Sequence, residues 1–171
     1  MFGRVMIDFV ASRGWKTMAV FYTGDALGSE MMDSIAMQAR KRNINIGYRH
    51  AFWTMGSSSD VGSALDGLKE SGQQIVVIAA VGVPQIKLMV EAVRRGLVNK
   101  NYVWMTINQV TEPLLEVPNI KPADLNGLFM FDNMLKLHGY PPYEEFLDKW
   151  SEMNPAEYPY SGSRDISSNE A

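Results

Sequence analysis

Residues 74 to 80 read QIVVIAA, an uninterrupted apolar and β-branched run. A strand alternates its side chains between two faces, so a run with no polar alternation must be buried on both of them. Strands of that kind belong to parallel sheets, and parallel strands need helices across both faces to connect and cover them. The run therefore commits the chain to an α/β fold. Lys16 to Tyr22 (KTMAVFY) and Tyr102 to Ile107 (YVWMTI) are predicted as further strands, and Gly127 to Phe131 (GLFMF) as a short one. Asn45 to Phe52 (NIGYRHAF) alternates in part, which places it nearer a sheet edge.

Helices are predicted between these strands. Leu27, Met31, Ile35 and Ala39 recur at four-residue spacing, and Val61, Ala64, Leu65 and Leu68 form a second stripe behind a capping cluster of Ser57, Ser58, Ser59 and Asp60. Pro84 suits the first turn of a third helix that turns Ile86, Met89, Val90 and Val93 inward and stops at Gly96. The chain opens on a helix with Val5, Phe9 and Val10 on one side and Gly14 at its end. Pro141 to Met153 is predicted as a last amphipathic helix, with Tyr143, Phe146, Leu147 and Trp150 on one face. The expected architecture is a three-layer α-β-α, Rossmann-like, doubly wound and mostly parallel sheet over residues 1–157, followed by a flexible tail over 158–171 that lacks an apolar period.

Composition removes several functional classes. Sixteen Lys and Arg against nineteen Asp and Glu give a net charge of −3, so no nucleic-acid partner is expected. The basic run Arg40, Lys41 and Arg42 is read as the complement of a helix C-terminus. The chain has no cysteine for a disulfide or thiolate site, and no N-x-[ST] sequon. The longest apolar stretch, Ile75 to Val81, is far short of the ~20 residues of a membrane span, and the N-terminus lacks the pattern of a signal peptide.

Ligands of parallel sheets sit at the carboxyl ends of the strands. Three predicted loops lie there: Thr23 to Gly28, Val81 to Gln85, and Asn108 to Thr111. The first, TGDALG, is not G-x-G-x-x-G, and no G-x-x-x-x-G-K-[ST] occurs, so the nucleotide fingerprints are absent. His50 and His138 have no catalytic partners in the sequence, and Asp8, Asp25 and Asp60 are read as solvated carboxylates and caps. No catalytic residue, metal or other cofactor is expected.

The segments GWKTMAVFYTGDALGSEMMDSIAMQARKRNINIGYR, DVGSALDGLKESGQQIVVIAAVG and VEAVRRGLVNKNYVWMTIN, in this order, resemble the receptor ligand-binding family of the type 1 periplasmic-binding-protein fold. That family includes bacterial amino-acid binding proteins, natriuretic-peptide receptors and class C G-protein-coupled receptors. The likeness covers roughly residues 5 to 155. It implies one lobe, the second, of a two-lobe domain that holds a small polar ligand, amino-acid-like or otherwise, in the cleft between lobes. It further implies a missing first lobe, a parent protein with a transmembrane signalling domain, and an extracellular or, in bacteria, periplasmic location. The chain is then expected to be a piece of that parent, with dimerisation a natural way to hide the surface left bare.

The resemblance assigns ligand contacts to Thr23, Asp25 and Leu27, to Val81 and Gly82, and to Asn108 with Gln109. Family members that bind amino acids often carry an aromatic where Leu27 stands and an acid where Asn108 stands. Leu27 cannot stack on a ligand and neutral Asn108 cannot pair an ammonium, which argues against an α-amino acid. On residues alone, Leu27 also fits core packing, Gly28 a close strand–helix approach, and Asn108 the capping of its own turn. Two other readings stay open: a small doubly wound enzyme with unrecognised catalytic groups, and a fragment that binds nothing by itself.

Overall fold

The computed structural model describes residues 2–52, 58–132, 137 and 139–164. Trp53, Ser57, His138 and residues 165–171 lie outside the described residues. The chain divides into two compact units, Met1–Asp132 and Asn133–Ala171.

The first unit is a five-stranded sheet, all parallel, of β1 (Thr17–Thr23), β2 (Asn45–Phe52), β3 (Ile75–Ala79), β4 (Val103–Ile107) and β5 (Leu128–Phe131) in the order β2-β1-β3-β4-β5. The QIVVIAA run is thus the central strand, and the alternating NIGYRHAF strand lies at an edge. The helices are α1 (Phe2–Ser12), α2 (Ala26–Lys41), α3 (Ser58–Ser71), α4 (Val83–Arg94) and the short α5 (Thr111–Leu115). A 3-10 turn at Pro122–Leu125 precedes β5.

Each sheet face carries its own core, as three layers require. Ala19, Phe21, Val76, Ile78 and Trp104 point to the side of α3, α4 and α5 and pack against Leu65, Leu68, Leu88 and Met89. Met18, Val20, Val77, Ala79 and Met105 point to the other side, against Met6, Ile7 and Val10 of α1 and Met32, Ile35 and Ala39 of α2. Trp104 stacks on Phe21, with ring centroids 6.1 Å apart and planes inclined by 10°. Its indole N–H donates to Leu97 O at 2.8 Å. The one polar atom of that ring is therefore satisfied inside the core.

The helix stripes agree with those predicted at Ile35 and Ala39 of α2, Val10 of α1 and Met89 of α4, and differ by about one residue elsewhere on these three helices. On α2 the buried residues are Gly28, Met32, Ile35 and Ala39, and Leu27 is exposed; on α1 Met6, Ile7 and Val10 are buried and Val5 is exposed. On α4 the buried line is Gln85, Leu88, Met89 and Ala92, with Ile86, Val90 and Val93 partly buried beside it. The α3 stripe lies as predicted.

The second unit is built on α6 (Pro141–Glu152). Tyr143, Phe146 and Trp150 form a ladder of near-parallel rings at 6.4 and 5.9 Å, and Leu147 is buried. The segment after the helix turns back on it: Trp150 Nε1 donates to Tyr160 O at 3.1 Å, Gly162 N–H to Trp150 O at 3.2 Å, and the Ser161 hydroxyl to Met153 O at 3.0 Å. Arg164 bonds both Glu144 and Asp148 on α6.

Candidate ligand-binding site

Because every strand is parallel, all five carboxyl ends open on one edge. The strand order reverses direction between β1 and β3, and a crevice is left wherever chain connections part to opposite sides in this way. Tyr22 is paired with Ala79 in that register, so the loops that start at Thr23 and Ala80 leave the sheet side by side. The loop after β4 leaves one strand further along, with neighbouring strands roughly 5 Å apart. The three sequence-predicted loops therefore do converge on one edge.

The first loop is rigid for reasons visible in its residues. Thr23 is buried, and its hydroxyl donates to Asp25 Oδ1 at 2.9 Å; the same oxygen accepts from Gly28 N–H at 2.8 Å. Asp25 is thereby the N-cap of α2, in extended backbone conformation. Gly28 is required by space: a Cβ there would stand 2.1 Å from Thr23 O and 2.3 Å from Thr23 Oγ1. Gly24 N–H also donates to Phe52 O at 3.0 Å, which pins the loop to the end of β2.

Those hydrogen bonds favour the ionised cap. The Gly28 N–H first, and then the Thr23 hydroxyl, hold the Asp25 carboxyl below its ordinary value. A carboxyl whose pKa is depressed on folding contributes stability that is present above its unfolded pKa and is lost as pH falls through the folded one. Asp25→Asn is thus expected to flatten the acid side of the melting-temperature profile, from about pH 4 downward, relative to the wild type. Profiles that stay parallel over that range would show that the cap bond carries no proton linkage.

The other two loops are joined by a residue that sequence reasoning did not single out. Gln85, 1% exposed, sits in the first turn of α4. Its amide donates to Ile107 O at 2.7 Å and accepts from Ile107 N–H at 3.1 Å, as a strand neighbour would. Asn108, the next residue, takes the left-handed conformation at φ 62°. Asparagine tolerates that region better than most residues. The Asn108 N–H donates to Phe131 O at 2.9 Å. Gly82 precedes α4 at φ 66°, and α4 has no side-chain cap. Glycine is favoured at such an angle because it has no Cβ to clash.

The sequence-predicted site residues fall into two groups. Asp25, Gly82, Asn108 and Gln109 are exposed on the edge, whereas Thr23 is buried as a support and Val81 is half-buried. Leu27 is 52% exposed, so its reading as core is corrected; with Val83, 62% exposed, it adds apolar surface to a polar rim. His50 stacks against Tyr48 on β2, and its Nε2 lies 3.9 Å from Asp60 Oδ1. Asp8 pairs with Arg42 at 2.5 Å and with Arg4 at 3.6 Å. Among the described residues no three His, Cys, Asp or Glu side chains gather where a metal could bind.

A separate groove of about 560 Å³ lies away from the carboxyl edge, along the outer side of β2. Met32, Ala36 and Arg40 of α2 line one wall, and Ile44, Ile46 and Arg49 are on the other.

Comparison with known proteins bears on the family and the fold. The receptor family ligand binding region matches residues 1–169, and the chain belongs to that family. Glutamate receptor 2.1 of Arabidopsis thaliana is 21% identical over 146 residues, which are 83% of this chain and 16% of the plant protein. The periplasmic ligand-binding protein of a branched-chain amino acid ABC transporter from Burkholderia xenovorans superposes with a TM-score of 0.56 at 24% identity, over 64% of this chain and 29% of its own. The chain thus spans well under half the length of both relatives. A likeness at that identity establishes the fold, a periplasmic-binding-protein-like α/β lobe.

Proposed function

We propose that this chain is the second lobe of a two-lobe sensing domain, and that the carboxyl edge of its sheet is one wall of a cleft for a small polar ligand. The observation that carries this reading is the convergence of Asp25, Gly82, Asn108 and Gln109 on the exposed edge, each on a loop locked from behind by Thr23, Gly28 or Gln85. The bonds from Thr23 and Gly28 to Asp25 both fall on Oδ1, and in this reading the exposed carboxylate also meets a ligand donor. The exposed Leu27 and Val83 supply apolar contact that a facing lobe would cover.

In this reading no covalent step takes place. The ligand touches both lobes only when they close, so its binding favours closure, and the motion passes to a signalling partner in the parent protein. That parent faces the cell exterior or the periplasm. The two relatives are named for glutamate and for branched-chain amino acids, which keeps amino-acid-like ligands in view. Leu27 and neutral Asn108 favour a ligand recognised through hydrogen bonds to Asp25 and backbone amides rather than through an acid paired at the end of β4.

The test is the thermal unfolding midpoint of the chain against millimolar amino acids, amines, organic acids and nucleotides. A ligand at a hundred times its dissociation constant stabilises by about 2.7 kcal/mol. We expect a shift with an amine or amino-acid-like compound that is lost in Asp25→Ser, a change that keeps an N-cap oxygen and removes the charge. A shift with nucleotides alone would instead favour an enzyme, and a shift untouched by Asp25→Ser would move the site elsewhere.

A further inference from the structure

We propose that the outer edge of β2 is a docking groove for an extended acidic peptide, independent of the ligand-binding edge. Three observations converge there. First, β2 pairs with β1 on one side, with one irregularity that leaves Gly47 without a partner, and among the described residues no strand pairs with its other side, so part of its peptide groups face outward for an added strand. Second, a groove of about 560 Å³ is lined by the contiguous stretch Ile44 to Arg49 and, from α2, by the apolar Met32 and Ala36. Third, its charged lining is of one sign. Arg40 and Arg49 both line it, no acidic residue does, and neither arginine takes part in an ion pair among the described residues.

The placement of the two arginines says what would fit. Ile44 N–H donates to Ala39 O at 2.9 Å, which folds the end of α2 onto the start of β2 and sets Arg40 at that end of the groove. Arg49 follows Asn45 by four residues along the strand, so at about 3.3 Å per residue it stands at most about 13 Å beyond the end of the groove where α2 delivers Arg40. In an added strand, residues i and i+4 share a face about 13 Å apart, with residue i+2 between them, so they reach toward the two ends of the groove. The matching segment carries acids at i and i+4 and an apolar residue at i+2. A second copy of this chain fits poorly, because pairing β2 with β2 brings Arg49 and Arg40 of one copy against the same cations of the other.

The probe is a fluorescein-labelled peptide, Ser-Glu-Thr-Val-Thr-Glu-Ser, titrated against the chain by fluorescence anisotropy at low ionic strength. We expect saturable binding that weakens about tenfold with either Arg40→Glu or Arg49→Glu, as loss of a charge-assisted bond requires. The double variant should regain binding to the peptide with lysines in place of the glutamates. Methylating alternate backbone amides of the peptide should abolish binding, since strand addition runs through main-chain hydrogen bonds. Circular dichroism of the exposed-site variants separates lost binding from lost fold. Absence of binding, equal binding of the lysine peptide by the wild type, or indifference to backbone methylation would overturn the proposal. So would sedimentation showing a dimer that Arg49→Glu dissociates, because the occupant would then be a second copy.

Discussion

Replacing Gly28 with alanine should lower the stability of the chain by about 3 kcal/mol, which in a protein of this size is a fall of about 6–12 °C in melting temperature. Two effects oppose each other at this position. Alanine is the better helix former by about 1 kcal/mol. Against that, the new Cβ would stand 2.1 Å from a backbone oxygen and 2.3 Å from the Thr23 hydroxyl, and backbone cannot swing aside as a side chain can. The helix must then back away from the end of β1, which breaks the bond from Gly28 N–H to Asp25 as well. Gly62 on α3 is the control: the nearest atom to its Cβ is the flexible end of Arg95 at 2.7 Å. Alanine there should cost little or add stability. Thermal unfolding of the two variants side by side decides the matter. Equal melting temperatures would mean that the loop at Thr23 yields far more readily than its hydrogen bonds imply.

The second large effect is expected at Gln85. Leucine has its bulk but neither of its hydrogen-bonding groups, so Gln85→Leu leaves the N–H and C=O of Ile107 buried and unpaired, at a cost of about 2–4 kcal/mol in all. Because Ile107 leads directly into Asn108, the variant should also loosen the loop at the carboxyl edge of the sheet. Amide hydrogen exchange should speed up at residues 107 to 109 before it does so at β1. Gln85→Glu supplies a sharper check. Its ionised form accepts from Ile107 N–H but cannot donate to Ile107 O, whereas its protonated form can do both. Stability of that variant should therefore rise relative to wild type as the solution is acidified. A pH-independent difference between the two would show that Gln85 acts by shape alone.

The fold was legible because its signals are long and redundant. QIVVIAA can be satisfied only by burial on both faces, and the strands and helices around it alternate at regular spacing. Helix phase was harder to read. On α2, Leu27 and Gly28, and again Met31 and Met32, are adjacent pairs of non-polar residues, so the pattern alone fits two rotations one residue apart. The close approach of Gly28 to Thr23 selects between them, and that is a contact between elements. Gln85 stayed hidden because a polar residue in the first turn of a helix ordinarily faces water. Asp25 was conspicuous in the sequence as an acid in a turn at the sheet edge, and the N-cap it provides is a local role of its own. The groove beside β2 was obscured by the ease with which Arg40 is explained as a helix-end cation.

The strand order also bears on how the chain is made. Among the five described strands β1 is synthesised first, and it lies between β2 and β3. In the finished sheet β2 lies on one side of it and β3 on the other, with β4 and β5 following on that second side in chain order. No strand has to be threaded between two that have already joined, so the sheet can grow outward at the pace of the ribosome. The exit tunnel thus delivers the strands in an order that the topology accepts without rearrangement.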